Sequence, residues 1–438
     1  MRYLNESNLL FGVLIILLLI NSIPLKFSIF SNKRFNESPF LAQNEDYLKD
    51  WERSLSGYYS DIDVDNYGAI YTAGASGGLD FNLTKFYPNG TISWTRTQNK
   101  DLIDDAGGVA VYNDYVYYSG WSAPGSTNQG GTIWLFKYNI SGDFEWQRSF
   151  GSNGRVYDLE VDDEGSVYII GCTWELGALS MDALIVKFDS FGTQQWVRLS
   201  GNSGNDNANA GKYASSTGTL FFTGDSESSG NMLLLHYTKS GSQVLNKEWD
   251  NGDVETGEDI AISTIDSKVY VVGDLGYAMV AFDLTGVNVA NISGSDQKSI
   301  AIDSEGDIVV ARYSIQGSSS WYTIFSSTGT QLYEHYISDD IPMGAVFDNE
   351  GNLFTIGHYG TLDKFIIDTI APIITIYSPI ENEQFGKSPP PLSISFNDPN
   401  LYQRWYNLEN DTYITANHTG GSFINQEVCC VRCEHYIL

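Results

Sequence analysis

A chain of 438 residues with 54 acidic against 24 basic side chains carries a formal net charge of −30, which leaves no basic footprint for nucleic-acid phosphates or an anionic lipid surface. Hydrophobic residues at 42% suffice for a buried core, so wholesale disorder is excluded as well. Aromatics at 14% and 43 Gly suit many short strands joined by tight turns, and the length asks for more than one domain.

The first element is the apolar run Leu9–Ile20, twelve uncharged residues behind Arg2. Its length matches a signal-peptide core better than the roughly 20 residues of a spanning helix. Pro24 and Lys26 break the apolar stretch that follows, so residues 1–30 read as a signal peptide or an uncleaved N-terminal membrane anchor. Lys26, Lys33 and Arg34 lie downstream of the run, against the usual positive-inside order, yet export is the favoured reading. Both alternatives place the rest of the chain outside the cytoplasm, extracellular or at the cell surface. Residues 31–46 form a linker. Eight Asn-x-Ser/Thr sequons, at Asn5, Asn36, Asn82, Asn89, Asn139, Asn291, Asn410 and Asn417, agree with that address without deciding it.

Between residues 47 and 369 one pattern recurs. An apolar run ends at Gly74, Gly120, Gly171, Gly224, Gly273, Ala311 and Gly357, with a mean spacing of about 47 residues. Acidic or polar turns precede most copies. An aromatic and a turn glycine follow, as in Phe86 and Gly90, Tyr138 and Gly142, Phe188 and Gly192. Four residues beyond the glycine stands Trp94, Trp146, Trp196 or Tyr333. Each unit therefore reads as strand, tight turn, strand, variable loop, strand, glycine turn, strand. In the first unit these strands are Asp61–Asp65, Ala69–Ala75, Phe81–Tyr87 and Thr91–Thr97. Four short strands in such a period make one propeller blade. The seventh unit lacks its fourth strand, while Asp50–Leu55 ahead of the first unit mirrors the Trp-bearing strands. The expectation is an all-β, seven-bladed β-propeller of four-stranded blades, its N-terminal strand completing the last blade and leaving no open edge.

The D-x-x-G-x-V-Y-x-x-G core and the Lys-Phe/Tyr-x-x-x-Gly-x-x-x-Trp tail, Lys137 to Trp146 and Lys187 to Trp196, carry a resemblance. Over residues 50 to 369 they resemble the SBBP-type β-propeller repeat of secreted and surface prokaryotic proteins. That resemblance implies the fold and an exported address, and it is silent on activity. Units four to six depart from the motif at its Lys or its Trp. After residue 369 the texture changes. Asp368–Pro379 and Leu392–Pro399 read as two strands of an Ig-like sandwich, and residues 370–438 are short of the roughly 100 such a module uses. The ending CCVRCEHYIL reads as a truncated or frameshifted tail of that partial module.

The acidic turns Asp63–Gly68, Asp162–Gly165, Asp303–Gly306 and Asp348–Gly351 admit two uses. Their carboxylates could hold Ca²⁺, which takes six to eight oxygens. Recurrence at one blade position favours the plainer role, Asp bonding its own turn backbone and Gly supplying positive φ. No cofactor or resident metal is expected. The loops after second strands and those leading into first strands lie on one propeller face and line its mouth. They comprise Asn99–Gly107 with Asp101, Asp104 and Asp105, Trp121–Gly131, Thr173–Asp182 with Trp174 and Glu175, and Gly201–Asn209. Trp121 and Trp174 either stack on a sugar beside those carboxylates or pack against neighbouring blades.

Nucleophilic catalysis finds little footing. His236 lies in an apolar strand, no G-x-S-x-G occurs, and Cys429, Cys430, Cys433 and His435 lack a second ligand pair. Cys172 sits in an apolar run and reads as a small buried hydrophobe. The expected function is a non-enzymatic extracellular binding scaffold, taking a carbohydrate or protein ligand on one propeller face. The alternative is a secreted propeller hydrolase or lyase on polysaccharide, with Asp104, Asp105 or Glu175 as acid and base.

Overall fold

The computed structural model describes residues 47–367, apart from 77–79, 126–129, 176–179, 202–203, 228, 253, 295–296, 315–318 and 337–339, together with short strands outside that span. None of the described residues is helical, and none of the described segments is a helix long and apolar enough to cross a membrane. The chain divides into two units, Lys49–Ile367 and the remainder.

Within the larger unit, β-branched and aromatic runs form strands wherever turn residues interrupt them. Tyr58–Val64, Ile70–Ser76, Asp80–Phe86 and Ile92–Gln98 make the first antiparallel meander, paired in sequence order. Among the described residues of this unit there are six sheets, five of four strands and one of seven. The seven-stranded sheet is two meanders joined through Phe144–Val161, whose 18 residues serve as last strand of one and first strand of the next. The final sheet contains Pro342–Phe347, Leu353–Gly357 and Thr361–Ile367, and its fourth strand is the N-terminal Tyr47–Ser54. First strands of successive meanders lie side by side from Tyr58–Val64 onward, and Pro342–Phe347 lies against Tyr58–Val64, so the series returns on itself.

The core sits between neighbouring sheets. Tyr71, Phe81 and Leu83 of the first meander pack on Val109, Tyr118 and Phe136 of the second. Tyr168, Ile170 and Ile185 pack on Leu220, Phe222 and Tyr237 in the same way two meanders further on. Second strands are covered on both faces, which is why Val167–Thr173 is buried throughout, Cys172 included. Burial pushes the Cys172 thiol up to about 11.

Two recurring motifs explain the joints. In the acidic turns, the Asp65 carboxylate accepts the N–H groups of Tyr67 and Ala69 and the Tyr71 hydroxyl. Asp162 does the same for Glu164, Ser166 and Tyr168, while Asp303 and Asp348 cap their turns through backbone N–H groups alone or with Asn352. Gly68 and Gly165 follow at φ of +75° and +74°, where a side chain would be strained. The Trp of the fourth strand reaches the next meander. Trp94 donates to the Ile140 carbonyl at 3.2 Å and Trp196 to that of Lys239 at 3.0 Å. Two residues on, Arg96 and Arg198 donate to the carbonyls of Gly142 and Gly241, each at 2.6 Å. Trp51 and Arg53 of the N-terminal strand make the equivalent pair of bonds to Pro88 and Asn89 in the first meander.

One position needs correcting. Gly171 stands nine residues after the turn Asp162, and the same count from Asp303 reaches Arg312, not Ala311. At Gly171 and Gly224 a Cβ would lie 1.9 Å from a first-strand carbonyl, because the first strand bulges there. The strand Ser299–Ile302 pairs without a bulge, so the sixth meander tolerates a side chain.

In the smaller unit Ile373–Ser378 pairs antiparallel with Ser393–Asn397. Arg432–Tyr436 pairs with Ile16–Leu18 and with Asn407–Glu409, and Leu25–Lys26 with Gln384–Phe385. The rest of the leader, the linker 31–46 and the side chains of Cys429, Cys430, Cys433 and His435 lie outside the described residues.

Candidate functional site

Strand register brings the mouth residues to one end of the first strands. Asp105 pairs across from Trp121, and Arg155 from Cys172, two residues before Trp174. The Arg155 guanidinium lies 5.6 Å from the Trp121 ring centroid and 5.2 Å from that of Trp174, within cation–π reach of both indoles. Trp121 is only 8% exposed, while Trp174 is half-buried and its backbone N–H donates to the Asn153 carbonyl. Asp105 is exposed, with Arg155 and His358 near enough to act on its carboxylate. Desolvation outweighs the pull of Arg155 and the other neighbours and holds the Asp105 carboxyl above the usual carboxylate range.

His358 stacks near Tyr58 and Tyr359, with ring centroids 5.1 Å and 4.9 Å away. Tyr58 and Tyr359 are 47% and 58% exposed, an accessible aromatic patch contributed by the first and last meanders. The mouth thus offers aromatic faces, one guanidinium, one imidazole and one carboxylate that favours its proton more than usual.

Other expected site residues are occupied differently. Asp104 is buried, its carboxylate accepting the backbone N–H groups of Lys100 and Asp101 at 2.8 Å and 3.2 Å, and desolvation raises it. Asp101 accepts the N–H of Leu102. Both acids shape their own loop. Glu175 accepts the Ser152 hydroxyl at the rim beside Trp174. Arg155, His358, Tyr58 and Tyr359 escaped the sequence reading. His358 carried a usable signal, since it follows Gly357 as Trp121 follows Gly120.

Deeper along the first strands lies a second set of acids. Asp61, Asp158 and Asp259 occupy one equivalent position in the first, third and fifth meanders, against Gly108, Ala210 and Ser299 in the second, fourth and sixth. Each carboxylate reaches the next meander. Asp61 accepts the Val109 N–H at 2.8 Å, Asp158 that of Gly211 at 2.9 Å, and Asp259 that of Ile300 at 2.9 Å. Two residues on, Asp63 accepts from Val111 and Glu160 from Tyr213. A first strand pairs on one side only, so its outer N–H groups need acceptors, and these carboxylates supply them. Desolvation raises all three Asp, with Asp61 and Asp158 repelling each other and Asp158 also repelled by Asp259. Asp63 is pushed to about 6 by burial, and Lys212 is held charged chiefly by Glu160. Among the described residues no three His, Cys, Asp or Glu converge as metal ligands.

Solved structures similar to this chain include the WD40 β-propeller domain of Doa1, with a TM-score of 0.52 and 12% identity over 73% of this chain and 97% of that one. A streptogramin B lyase structure is similar at a TM-score of 0.52 and 14% identity, over 73% of this chain and 98% of that one. At such identities the likeness is one of fold: the chain contains a β-propeller. No protein-family model matches it, and no curated protein is similar in sequence.

Proposed function

We propose that the chain is a seven-bladed propeller of the SBBP-repeat kind, exported to the cell surface or beyond, that acts as a binding scaffold through its mouth. Counting Phe144–Val161 as two strands gives seven four-stranded blades, the last completed by Tyr47–Ser54. Residues 370–438 form a partial Ig-like module, of which the pair Ile373–Ser378 and Ser393–Asn397 is the supporting element.

The observation that carries the binding role is that Arg155 near its two indoles, Asp105, the exposed Tyr58 and Tyr359 and the half-buried His358 come from different blades to one end of the first strands. Exposed aromatic faces beside hydrogen-bonding charges suit a carbohydrate, and a protein contact is the other partner such a face takes. The test is thermal unfolding of the full chain against a polysaccharide panel. A ligand at 100 times its Kd adds about 2.7 kcal/mol. Tyr58→Ala with Tyr359→Ala should abolish that gain while leaving the unliganded transition unchanged. An undiminished gain in the double variant removes the mouth from the proposal.

A hydrolase or lyase reading keeps one specific support, the raised Asp105 carboxyl beside His358 and Arg155, an acid–base set. Asp104 leaves that list because backbone N–H groups hold it in its loop. Release of new sugar ends by the native chain and its loss in Asp105→Asn would establish this reading; absence of cleavage across the panel would end it.

A further inference from the structure

The seams between neighbouring meanders are not alike. Carboxylates cross from the first to the second, from the third to the fourth and from the fifth to the sixth, each ending on a backbone N–H of the next first strand. At the equivalent position the receiving strands carry Gly108, Ala210 and Ser299, which leave room for the incoming carboxylate. Only the Ser299 hydroxyl adds a donor, to Asp259 at 3.1 Å.

We propose that Asp61, Asp158 and Asp259 form a proton-sensitive fastening of the propeller: protonated, they tie three seams together, and ionised, they repel one another along the inner strands and loosen those seams.

The charged groups facing them can be taken strand by strand. Tyr58–Val64 adds Asp63, Phe144–Val161 adds Glu160, and Asp206–Ala214 adds Lys212, whose ammonium is 3.2 Å from Glu160. The equivalent places in the other first strands hold Ala110, Ala261, Ala301 and Val346, which bring no charge. Five carboxylates therefore face a single ammonium, and that ammonium is already engaged by Glu160. Removal from water, the largest cause, and mutual repulsion favour the neutral carboxyl and outweigh the backbone N–H bonds, which favour the charged one. A folded chain that keeps these protons to higher pH than the unfolded chain binds more protons between about pH 4 and about pH 7. The stability they lend is therefore greatest at the acid end and is lost as pH rises through that window.

The experiment is thermal unfolding of the full chain between pH 5.5 and 8, in high salt to screen the exposed acidic surface. The native chain should lose about 5 °C across this range. The triple variant Asp61→Asn, Asp158→Asn, Asp259→Asn keeps one acceptor oxygen for each seam N–H and lacks the charge, giving up the bonds from the N–H groups of Ile62, Leu159 and Ile260; its transition should be flat across this range. Equal slopes in the two proteins overturn the proposal. Should the triple variant fail to fold, hydrogen exchange of the native chain decides. Corrected for intrinsic rates, the Val109, Gly211 and Ile300 amides should exchange roughly tenfold faster at pH 8 than at pH 6, while amides of the fourth strands stay constant. No selective change at those three amides overturns the idea equally well.

Discussion

The third and fourth meanders fill the same slot in two opposite ways. In the third, Lys187 reaches Asp162 at 3.3 Å, lies 5.0 Å from the Tyr168 ring centroid and donates to the Lys239 carbonyl of the next meander. Asp162 is fully buried and also holds its own turn and the Tyr168 hydroxyl. In the fourth, the Lys position is His236, the Tyr position is Phe221, and the turn has no capping Asp. The two rings stack at 4.0 Å with 15° between their planes, and neither His236 nitrogen has a hydrogen-bond partner. A charged trio and a neutral stack thus serve one fold position. Between these two meanders charge, aromatic hydroxyl and turn acid change together, whereas the second meander keeps buried Lys137 against Tyr117 without the turn acid, its ammonium donating to the Ser190 carbonyl.

The largest expected effect breaks the charged version. Lys187→Met removes the ammonium and leaves the Asp162 carboxylate buried with three remaining donors. Loss of one member of a buried pair costs about 3 kcal/mol here, the low end of the usual range because those donors persist. Urea unfolding at pH 7 measures it. A loss under about 1 kcal/mol would mean that the turn bonds alone hold Asp162, and the contrast with the fourth meander would collapse.

A smaller effect sharpens the comparison at the outer edge. Arg198 lies 5.2 Å from the Trp196 ring centroid and bonds the Gly241 carbonyl, joining the third meander to the fourth. The fourth meander answers with Leu245 where the third has Trp196, and Lys247 where it has Arg198; Lys247 bonds the Gly286 carbonyl. Arg198→Ala should cost about 2 kcal/mol and Lys247→Ala about 1 kcal/mol, since the guanidinium lies against an indole, the strongest cation–ring partner, while the Lys247 ammonium has only the Phe282 ring at 5.5 Å. Equal losses in the two variants would show that the indole platform adds nothing.

This comparison also shows what could be read before the structure. The strands of the meander, the capped turn and the Trp-x-Arg segment each recur at a fixed place in the period, and their repetition made them visible. The mouth was half legible. Trp121 and Trp174 follow a marked glycine, whereas Arg155, which lies near both, sits inside the long strand Phe144–Val161, where Gly151–Gly154 reads as a plain connection between two strands. Asp101 and Asp104 accept backbone N–H groups of their own loop, a role that composition does not separate from meeting a ligand. The inner acids stayed hidden for a different reason. Their pattern alternates between meanders, and the bulge ahead of Asp61, Asp158 and Asp259 shifts the count by one residue.

His236 provides the finest test of the contrast. Burial lowers its imidazole below the ordinary value near 6.5, so the folded chain resists the proton that the unfolded chain accepts. Stability from the neutral stack is present above that value and is lost as pH falls below it, the reverse of the inner carboxylates. Two buried systems with opposite signs should give the native chain a stability maximum near pH 6. His236→Phe keeps an aromatic partner for Phe221 and removes the two unpartnered nitrogens. It should add about 1 kcal/mol at pH 5 and less at pH 7.5, moving the maximum to lower pH. The maximum would stay in place only if the imidazole found a proton partner on opening toward Phe221, and the neutral stack would then be a charged joint like that of Lys187.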